Sequence, residues 1–272
     1  MKVAYLGPKG SFSEKAALSA FPNDELIPLS TIRNVVESVE NGNYEHGIVP
    51  LENFYNGIVM QTIDTLTETR KTKIIDEIYL KIEHYVGVLS EHGEIKKIIS
   101  HPQALEQCSK YISLKYPNAE TISVESTSRA AQIIKEKKMN DSAAISSKNA
   151  LENSGLKIID TDILPNNVTR FAVLSLNSDI DSKKSKTMIA IHPNIDKSGI
   201  LYNILKFIAD NKINMQHIHS RPDGKGKYYF VLEINGDQKD KNMISALRGI
   251  KLYLEDNESV KVLGSYPDRS KE

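Results

Sequence analysis

Glu52 and Asn53 directly follow Gly47-Ile48-Val49-Pro50-Leu51, so a carboxylate and an amide stand just past the C-terminal end of an apolar strand. Ser100-His101-Pro102 is placed the same way after Ile98-Ile99, with Gln107 one to two turns into the helix that follows. Ser126-Thr127-Ser128 comes after Val124-Glu125, and Thr169-Arg170-Phe171 opens a strand running to Leu176. Ligands of open α/β sheets collect outside the carboxyl ends of the strands. Hydroxyls, amides and a guanidinium at such positions suit hydrogen bonding and anion recognition. Each taken singly reads as well as a helix cap or a loop residue; their recurrence at one type of junction points to a site. The turn Gly7-Pro8-Lys9-Gly10-Ser11 adds free backbone N–H groups at a helix start, where an anion is favoured. It lacks the glycine and lysine spacing of a Walker or dinucleotide fingerprint and reads equally as a turn with a serine cap.

Other chemistries fit less well. Gly10-Ser11-Phe12-Ser13-Glu14 is not a nucleophile elbow. Cys108 falls on an apolar helix face, the setting of a buried, inert thiol. His217 and His219 share a strand face at spacing two, but two imidazoles without a third ligand make a poor metal site. No metal and no cofactor are expected.

The elements that must position these residues alternate. Val3–Leu6, Leu26–Leu29 and Gly47–Pro50 read as strands; a helix capped by Ser11 or Ser13 and an amphipathic stretch from Thr31 to Asn41, with Val35, Val36 and Val39 at helical spacing, lie between them. Residues 73–89 hold two strands with a polar break at Glu83-His84. Lys97–Ser100, Thr121–Val124 and Ala143–Ser146 continue the pattern, with helices after Pro102, from Thr127 to about Lys138 and after Ser146. This predicts an α/β unit of parallel strands covered by helices. The polar run from Asn177 to Lys186 reads as a linker. Beyond it the order is strand, helix, strand, strand, helix, strand: Met188–Ile191, Gly199–Asn211, Met215–Ser220, Tyr228–Ile234, Asp240–Glu255 and Val260–Leu263. That βαββαβ order is ferredoxin-like, and its sheet has one open face that must pack on something.

The 272 residues are many for one compact core, in keeping with this division. Lysine plus arginine number 35 and aspartate plus glutamate 35, and the chain is 40% apolar, a globular composition without the basic excess of a nucleic-acid-binding protein. A single cysteine precludes an intrachain disulfide and fits a reducing compartment. There is no signal-peptide core and no stretch near the ~18 apolar residues of a membrane span. A cytoplasmic protein without nucleic-acid or membrane partners is expected.

Taken together, the stretches VAYLGPKGSFSEKAA, GIVPLENFYNGIV, SHPQALEQCSKYI, STSRAA and NNVTRFAVL resemble the prephenate dehydratase family. The second part resembles the ACT regulatory domain fused to that enzyme, through SGILYNILKFIADNKINMQHIHSRPDGKGKYYFVLEING and VKVLGSYP. The match covers nearly the whole chain in order. It implies a catalytic domain over residues 1–180, built as two α/β lobes like a type II periplasmic binding protein with the active site in the cleft, and an ACT domain over 187–268. It implies a carbon–oxygen lyase that converts prephenate to phenylpyruvate in L-phenylalanine biosynthesis, with L-phenylalanine as allosteric effector. The resemblance starts at residue 3, which gives the expectation that no chorismate mutase segment is attached.

Carried over residue by residue, the family's catalytic threonine falls on Thr169, its Glu-Asn pair on Glu52 and Asn53, and its Ser-His-Pro-Gln segment supplies Ser100 and Gln107. Ser11, Thr127, Arg170 and Phe171 are expected to bind substrate; Arg170 reads equally as a structural ion-pair partner. Prephenate carries two carboxylates and a ring hydroxyl, and loss of CO2 with water aromatises the ring, so help for the leaving hydroxyl matters more than a strong base. Effector contacts are expected at Ser198, Gly199, Ile200, Leu201, Ser220, Arg221 and Pro222. The chain departs from the pattern at Phe54, where the family has serine, which is expected to tighten the pocket, and at His219, where the family has glutamate. An arogenate dehydratase, or a non-catalytic amino-acid sensor, are the competing readings; retention of Glu52, Asn53, Gln107 and Thr169-Arg170-Phe171 argues against the sensor. The open sheet face suggests a homodimer or homotetramer.

Overall fold

Short apolar runs alternating with side-chain-capped helices build the first lobe. A computed structural model of the chain describes residues 1–177, 185–194, 197–222 and 228–270. The lobe runs β1 (Lys2–Leu6), α1 (Phe12–Ala20), β2 (Glu25–Leu29), α2 (Ile32–Glu40), β3 (His46–Asn53), β4 (Gly57–Ile58), α3 (Met60–Glu68) and β5 (Lys73–Lys81). Ser11 caps α1 by accepting from the Glu14 N–H at 3.3 Å, and Thr31 caps α2 from that of Asn34 at 3.0 Å. Val35, Val36 and Val39 of α2 are fully buried, as their spacing predicts. β1 pairs in parallel with β2 and β3.

The second lobe follows with β6 (Tyr85–Val88), β7 (Lys97–Ser100), α4 (Pro102–Gln107), α5 (Ser109–Lys115), β8 (Glu120–Ser123), α6 (Thr127–Lys137), β9 (Ser142–Ser146), α7 (Lys148–Asn153) and β10 (Lys157–Asp160). Its sheet order is β10-β6-β9-β7-β8. The chain then returns to the first lobe as β11 (Val168–Ser175), which lies antiparallel between β3 and β5. Alternation alone predicts parallel strands. β5 and β11 are joined through an entire second lobe rather than by a helical crossover, so nothing imposes parallel pairing. Two segments thus cross between the lobes, 82–84 and 161–167, and they bond each other: the Ile82 N–H donates to the Asn167 carbonyl at 2.7 Å and that of Ile163 to the His84 carbonyl at 3.2 Å.

The C-terminal module comprises β12 (Lys186–Ile191), α8 (Ile200–Asp210), β13 (Met215–Pro222), β14 (Tyr228–Asn235), α9 (Lys241–Tyr253) and β15 (Val260–Tyr266). Most of the predicted linker, residues 178–184, lies outside the described residues. Strand alternation gives the sheet two apolar faces. Ile189 and Ile191 turn to α8 and α9, while Met188, Ala190, Val231 and Leu263 join a core with Val49, Ile63 and Leu66 of the first lobe. The face expected to be open is therefore covered by the same chain. β15 reaches β5 in parallel at Gly264 opposite Ile74, so one sheet runs through nine strands from β13 to β2, with β4 as a tenth strand paired to β3. A Cβ at Gly264 would run into the Ile74 carbonyl.

Behind this seam lies a buried ion cluster. Arg170 on β11 grips the Glu233 carboxylate of β14 with both terminal nitrogens, at 2.6 and 2.9 Å, and also reaches Glu77 at 3.2 Å and Glu52 at 2.9 Å. Lys186 bonds Glu77 at 2.9 Å and Asp268 at 3.1 Å, and the Tyr266 hydroxyl donates to Glu233 at 3.0 Å. Burial discourages charge on Arg170, but the Glu233 carboxylate overrides it and holds the guanidinium charged, above its ordinary range. Removing one member of such a cluster leaves the others charged and unpaired away from water. Arg170→Met is therefore expected to lower unfolding stability by about 3–5 kcal/mol, read as a lower urea midpoint; an unchanged midpoint would show that the cluster does not hold the module to the lobe.

Candidate active site

A cleft of about 520 Å³ opens between the lobes. The first lobe contributes Ser11, Phe12, Asn53 and Gln61, the second His101, Gln103, Gln107 and Thr127, and the crossovers with the start of β11 contribute His84, Asn167, Thr169 and Phe171. In the β3–β11 ladder Thr169 stands opposite Asn53 and Arg170 opposite Glu52. Successive side chains of a strand point to opposite faces. One cross-strand pair, Asn53 with Thr169, therefore faces the cleft, and the next, Glu52 with Arg170, faces the module.

The amides of the cleft have a definite sense. Asn53 Oδ1 accepts the backbone N–H groups of Tyr55 at 3.1 Å and Asn56 at 3.3 Å, an Asx turn that fixes which end of the amide is oxygen. Its Nδ2 then donates to Thr169 Oγ1 and to Asn167 Oδ1, both at 2.9 Å. Gln107 Nε2 donates to Asn53 Oδ1 at 3.0 Å and to Asn56 Oδ1, while Gln107 Oε1 accepts from Asn167 Nδ2 at 3.4 Å. Because the Thr169 oxygen already accepts from Asn53, its own proton is the part left to donate.

The sequence-predicted residues divide accordingly. Asn53, Gln107, Thr169, Ser11, Thr127 and Phe171 all line the cleft. Glu52 and Arg170 do not: both belong to the ion cluster, so Arg170 takes its other reading, a structural ion-pair partner. Ser100 is fully buried, and its Oγ donates to the Ile145 carbonyl at 2.6 Å, tying β7 to β9 instead of reaching the cleft. Phe54 is 70% exposed and does not narrow the pocket. Several lining residues were not read as site residues in the sequence, among them Phe12, Gln61, Gln103, Asn167 and His84. Asn167 stands two residues before Thr169, the spacing of one strand face, within the Asn-Asn-Val-Thr-Arg-Phe run; His84 forms half of the polar break between β5 and β6.

Among the described residues that line the cleft there is no lysine or arginine. Positive potential comes instead from helix starts: α1 begins beside Ser11, α6 beside Thr127 and α4 after His101. Burial keeps His84 uncharged, with a pKa lowered to about 4 against a weaker opposing pull from Gln107, and burial likewise lowers His101. Cys108 is buried, its thiol pushed up to about 12 by the loss of solvent.

The expected effector residues lie on two elements of the module. Ser198 and Gly199 lead into α8, which begins at Ile200 and Leu201, and Gly199 caps it with a φ of 82° that a side chain would strain. Ser220, Arg221 and Pro222 end β13, the edge strand of the sheet. Arg221 is tied to the first lobe through Asp64 of α3 at 2.8 Å, and the Tyr229 hydroxyl bonds the same carboxylate. Burial lowers the pKa of His219, with the Glu52 carboxylate pulling the other way.

Residues 3–179 match the prephenate dehydratase family and residues 194–251 the ACT domain. The prephenate dehydratase of Methanocaldococcus jannaschii is 36% identical over 276 residues, covering 97% of this chain and 97% of that protein. The bifunctional chorismate mutase/prephenate dehydratase of Aquifex aeolicus is 34% identical over 273 residues, covering 98% of this chain and 74% of that protein. Among solved structures, a prephenate dehydratase from Arthrobacter aurescens in complex with L-Phe superposes with a TM-score of 0.88 at 29% identity, covering 100% of this chain and 92% of that one.

The burial of His84 has a consequence for pH. Free histidine titrates near ~6.5, so with a folded pKa of about 4 the unfolded chain takes up this proton first as pH falls. The stability His84 contributes as a neutral group is complete above pH ~6.5 and is lost between there and about 4, at up to ~1.4 kcal/mol per pH unit. The melting temperature is expected to fall across that window and to fall less steeply in His84→Gln. Equal slopes would mean that the ring is solvated.

Proposed function

The chain belongs to the prephenate dehydratase family, and on that premise we propose how its cleft carries out the reaction. The protein is a prephenate dehydratase with a C-terminal ACT domain: it converts prephenate to phenylpyruvate, with loss of CO2 and water. In this step the bond from the ring to its carboxylate breaks, the electron pair enters the ring, the C–O bond to the ring hydroxyl breaks, and the leaving oxygen takes a proton to become water.

The proposal assigns the help for that oxygen to Thr169. Its carrying observation is the Asn53–Thr169 hydrogen bond of 2.9 Å, whose direction leaves the threonine proton free to point into the cleft. A threonine hydroxyl is too weak an acid to remain ionised, so it donates a hydrogen bond and relays a proton from water. The Asn53 donor makes Oγ–H a better donor in turn. Gln107 and Asn167 hold Asn53. The carboxylates of the substrate are met by Thr127 and by the N–H groups at the starts of α1, next to the capping Ser11, and of α6, and the aromatic ring of Phe171 borders the substrate ring. This reading replaces Arg170 as the carboxylate partner with uncharged donors.

Feedback control fits the ACT domain. We infer L-phenylalanine as the effector, bound through Ser198, Gly199, Ile200, Leu201, Ser220, Arg221 and Pro222. The outer edge of β13, which carries the last three and has no paired strand among the described residues, is the natural place for a second copy to pair, and supports a homodimer or homotetramer. No helix among the described residues is long and apolar enough to cross a membrane. We place the activity in the cytoplasm, on the ground that the one cysteine is buried and unpaired.

Thr169→Ala is expected to lower kcat about 10²- to 10⁴-fold in a phenylpyruvate absorbance assay, with an unchanged circular dichroism spectrum, while Thr169→Ser keeps most of the activity. Wild-type turnover in the folded alanine variant would remove Thr169 from the mechanism. Calorimetric titration with L-phenylalanine is expected to give binding heat that changes as pH falls below ~6.5 and His219, its pKa lowered by burial, takes up a proton; no heat at millimolar ligand would count against an effector site.

A further inference from the structure

His84 sits on the first crossover between the lobes, 3% exposed, with its ring edge-on to Phe12 at a centroid distance of 5.8 Å. It lines the cleft together with Gln107, the side chain that opposes the lowering of its pKa by burial. Its Nδ1 is buried and has no hydrogen-bond partner among the described residues.

A neutral imidazole carries its proton on one nitrogen and a lone pair on the other. A buried N–H without an acceptor costs more than an unmet lone pair, so the unpartnered Nδ1 is the bare nitrogen and Nε2 holds the proton. What that proton meets is fixed from the opposite end. Gln107 turns its NH2 group to Asn53 and Asn56, because the Asx turn has made Asn53 Oδ1 an acceptor. The atom left for the imidazole is Gln107 Oε1, whose other donor, Asn167 Nδ2, is distant at 3.4 Å.

We propose that His84 is a positioning residue for the reaction: its Nε2–H donates to Gln107 Oε1 and thereby locks the cleft amides in one sense. A one-way chain of hydrogen bonds then runs from His84 through Gln107 and Asn53 to Thr169. Its last oxygen is occupied as an acceptor, which leaves the threonine proton for the substrate. Were Gln107 to rotate its amide by half a turn, its oxygen would face Asn53 Oδ1, and the pair of carbonyl oxygens would push Asn53 off Thr169. The inference rests on the role given to Thr169 above. His84 itself touches neither the leaving oxygen nor the carboxylates in this scheme; it acts through Gln107.

The test uses the full chain. Nitrogen-15 NMR of the ligand-free protein at pH 7 is expected to record His84 as the Nε2–H tautomer; an Nδ1–H tautomer or a protonated ring overturns the proposal whatever the activity. With prephenate, His84→Leu should lower kcat about tenfold and leave KM within about twofold, as expected for loss of one orienting hydrogen bond. His84→Gln, whose amide nitrogen reaches the Nε2 position, should recover most of kcat, and His84→Asn, which reaches only the Nδ1 position, should not. Equal losses in all three folded variants, or recovery by asparagine alone, overturn it. If the wild-type protein fails to turn over prephenate, the proposed function falls, and the tautomer measurement still decides the matter of His84.

Discussion

A guanidinium removed from water must be surrounded by carboxylates, and Arg170 is surrounded by three, from β3, β5 and β14. That requirement fixes more than its own position. Arg170 and Glu52 are paired across the β3–β11 ladder, and the next rung of that ladder is Thr169 with Asn53. Once the charged rung is anchored in the seam between lobe and module, strand alternation turns the neutral rung into the cleft. Two short sequence motifs thus serve two tasks at once: alternate residues hold the C-terminal module in place and line the cleft.

The neutral side of that ladder owes its use to orientation. None of the groups on it is a strong acid or base, and burial lowers the pKa of both imidazoles of the cleft, His84 and His101. What distinguishes the site from a random cluster of amides is that each has one allowed sense, imposed by backbone N–H groups of the Asx turn at Asn53. Fixed dipoles need no rearrangement when charge moves to a leaving oxygen, which is how weak groups can assist a reaction whose driving force, aromatisation, lies in the substrate.

Much of this was legible in the residues. Caps at Ser11, Thr31 and Ser126, the valine spacing of α2 and the βαββαβ order of the module all follow from local rules, and the strand-end rule picked out Asn53, Gln107, Thr127 and Thr169, which line the cleft. The rule says where along a strand a residue lies and is silent about its face. Glu52, Arg170 and Ser100 satisfied it and point away from the cleft; only the register of β3 against β11, and of β7 against β9, decides that. The direction of β11 was illegible for a related reason, since it depends on a partner reached through a whole second lobe. β10, four residues at a sheet edge, is too short to show a period. The carboxylates that claim Arg170 include Glu233, 63 residues away in another module, a pairing no local window contains.

That no lysine or arginine is found among the described residues lining the cleft bears on how the catalytic cycle ends. A pocket that bound its anion through lysine or arginine would draw in phosphate and other common anions as well, and its grip would slacken with ionic strength. Neutral donors and helix starts read the placement of oxygen atoms more than total charge, so affinity rests on how many correctly spaced acceptors a molecule offers. The substrate arrives with two carboxylates; one departs as uncharged carbon dioxide. On the proposed reading, in which neutral donors hold both carboxylates, the aromatic product matches fewer of the groups that captured its precursor, and the chemistry itself loosens what the cleft is holding.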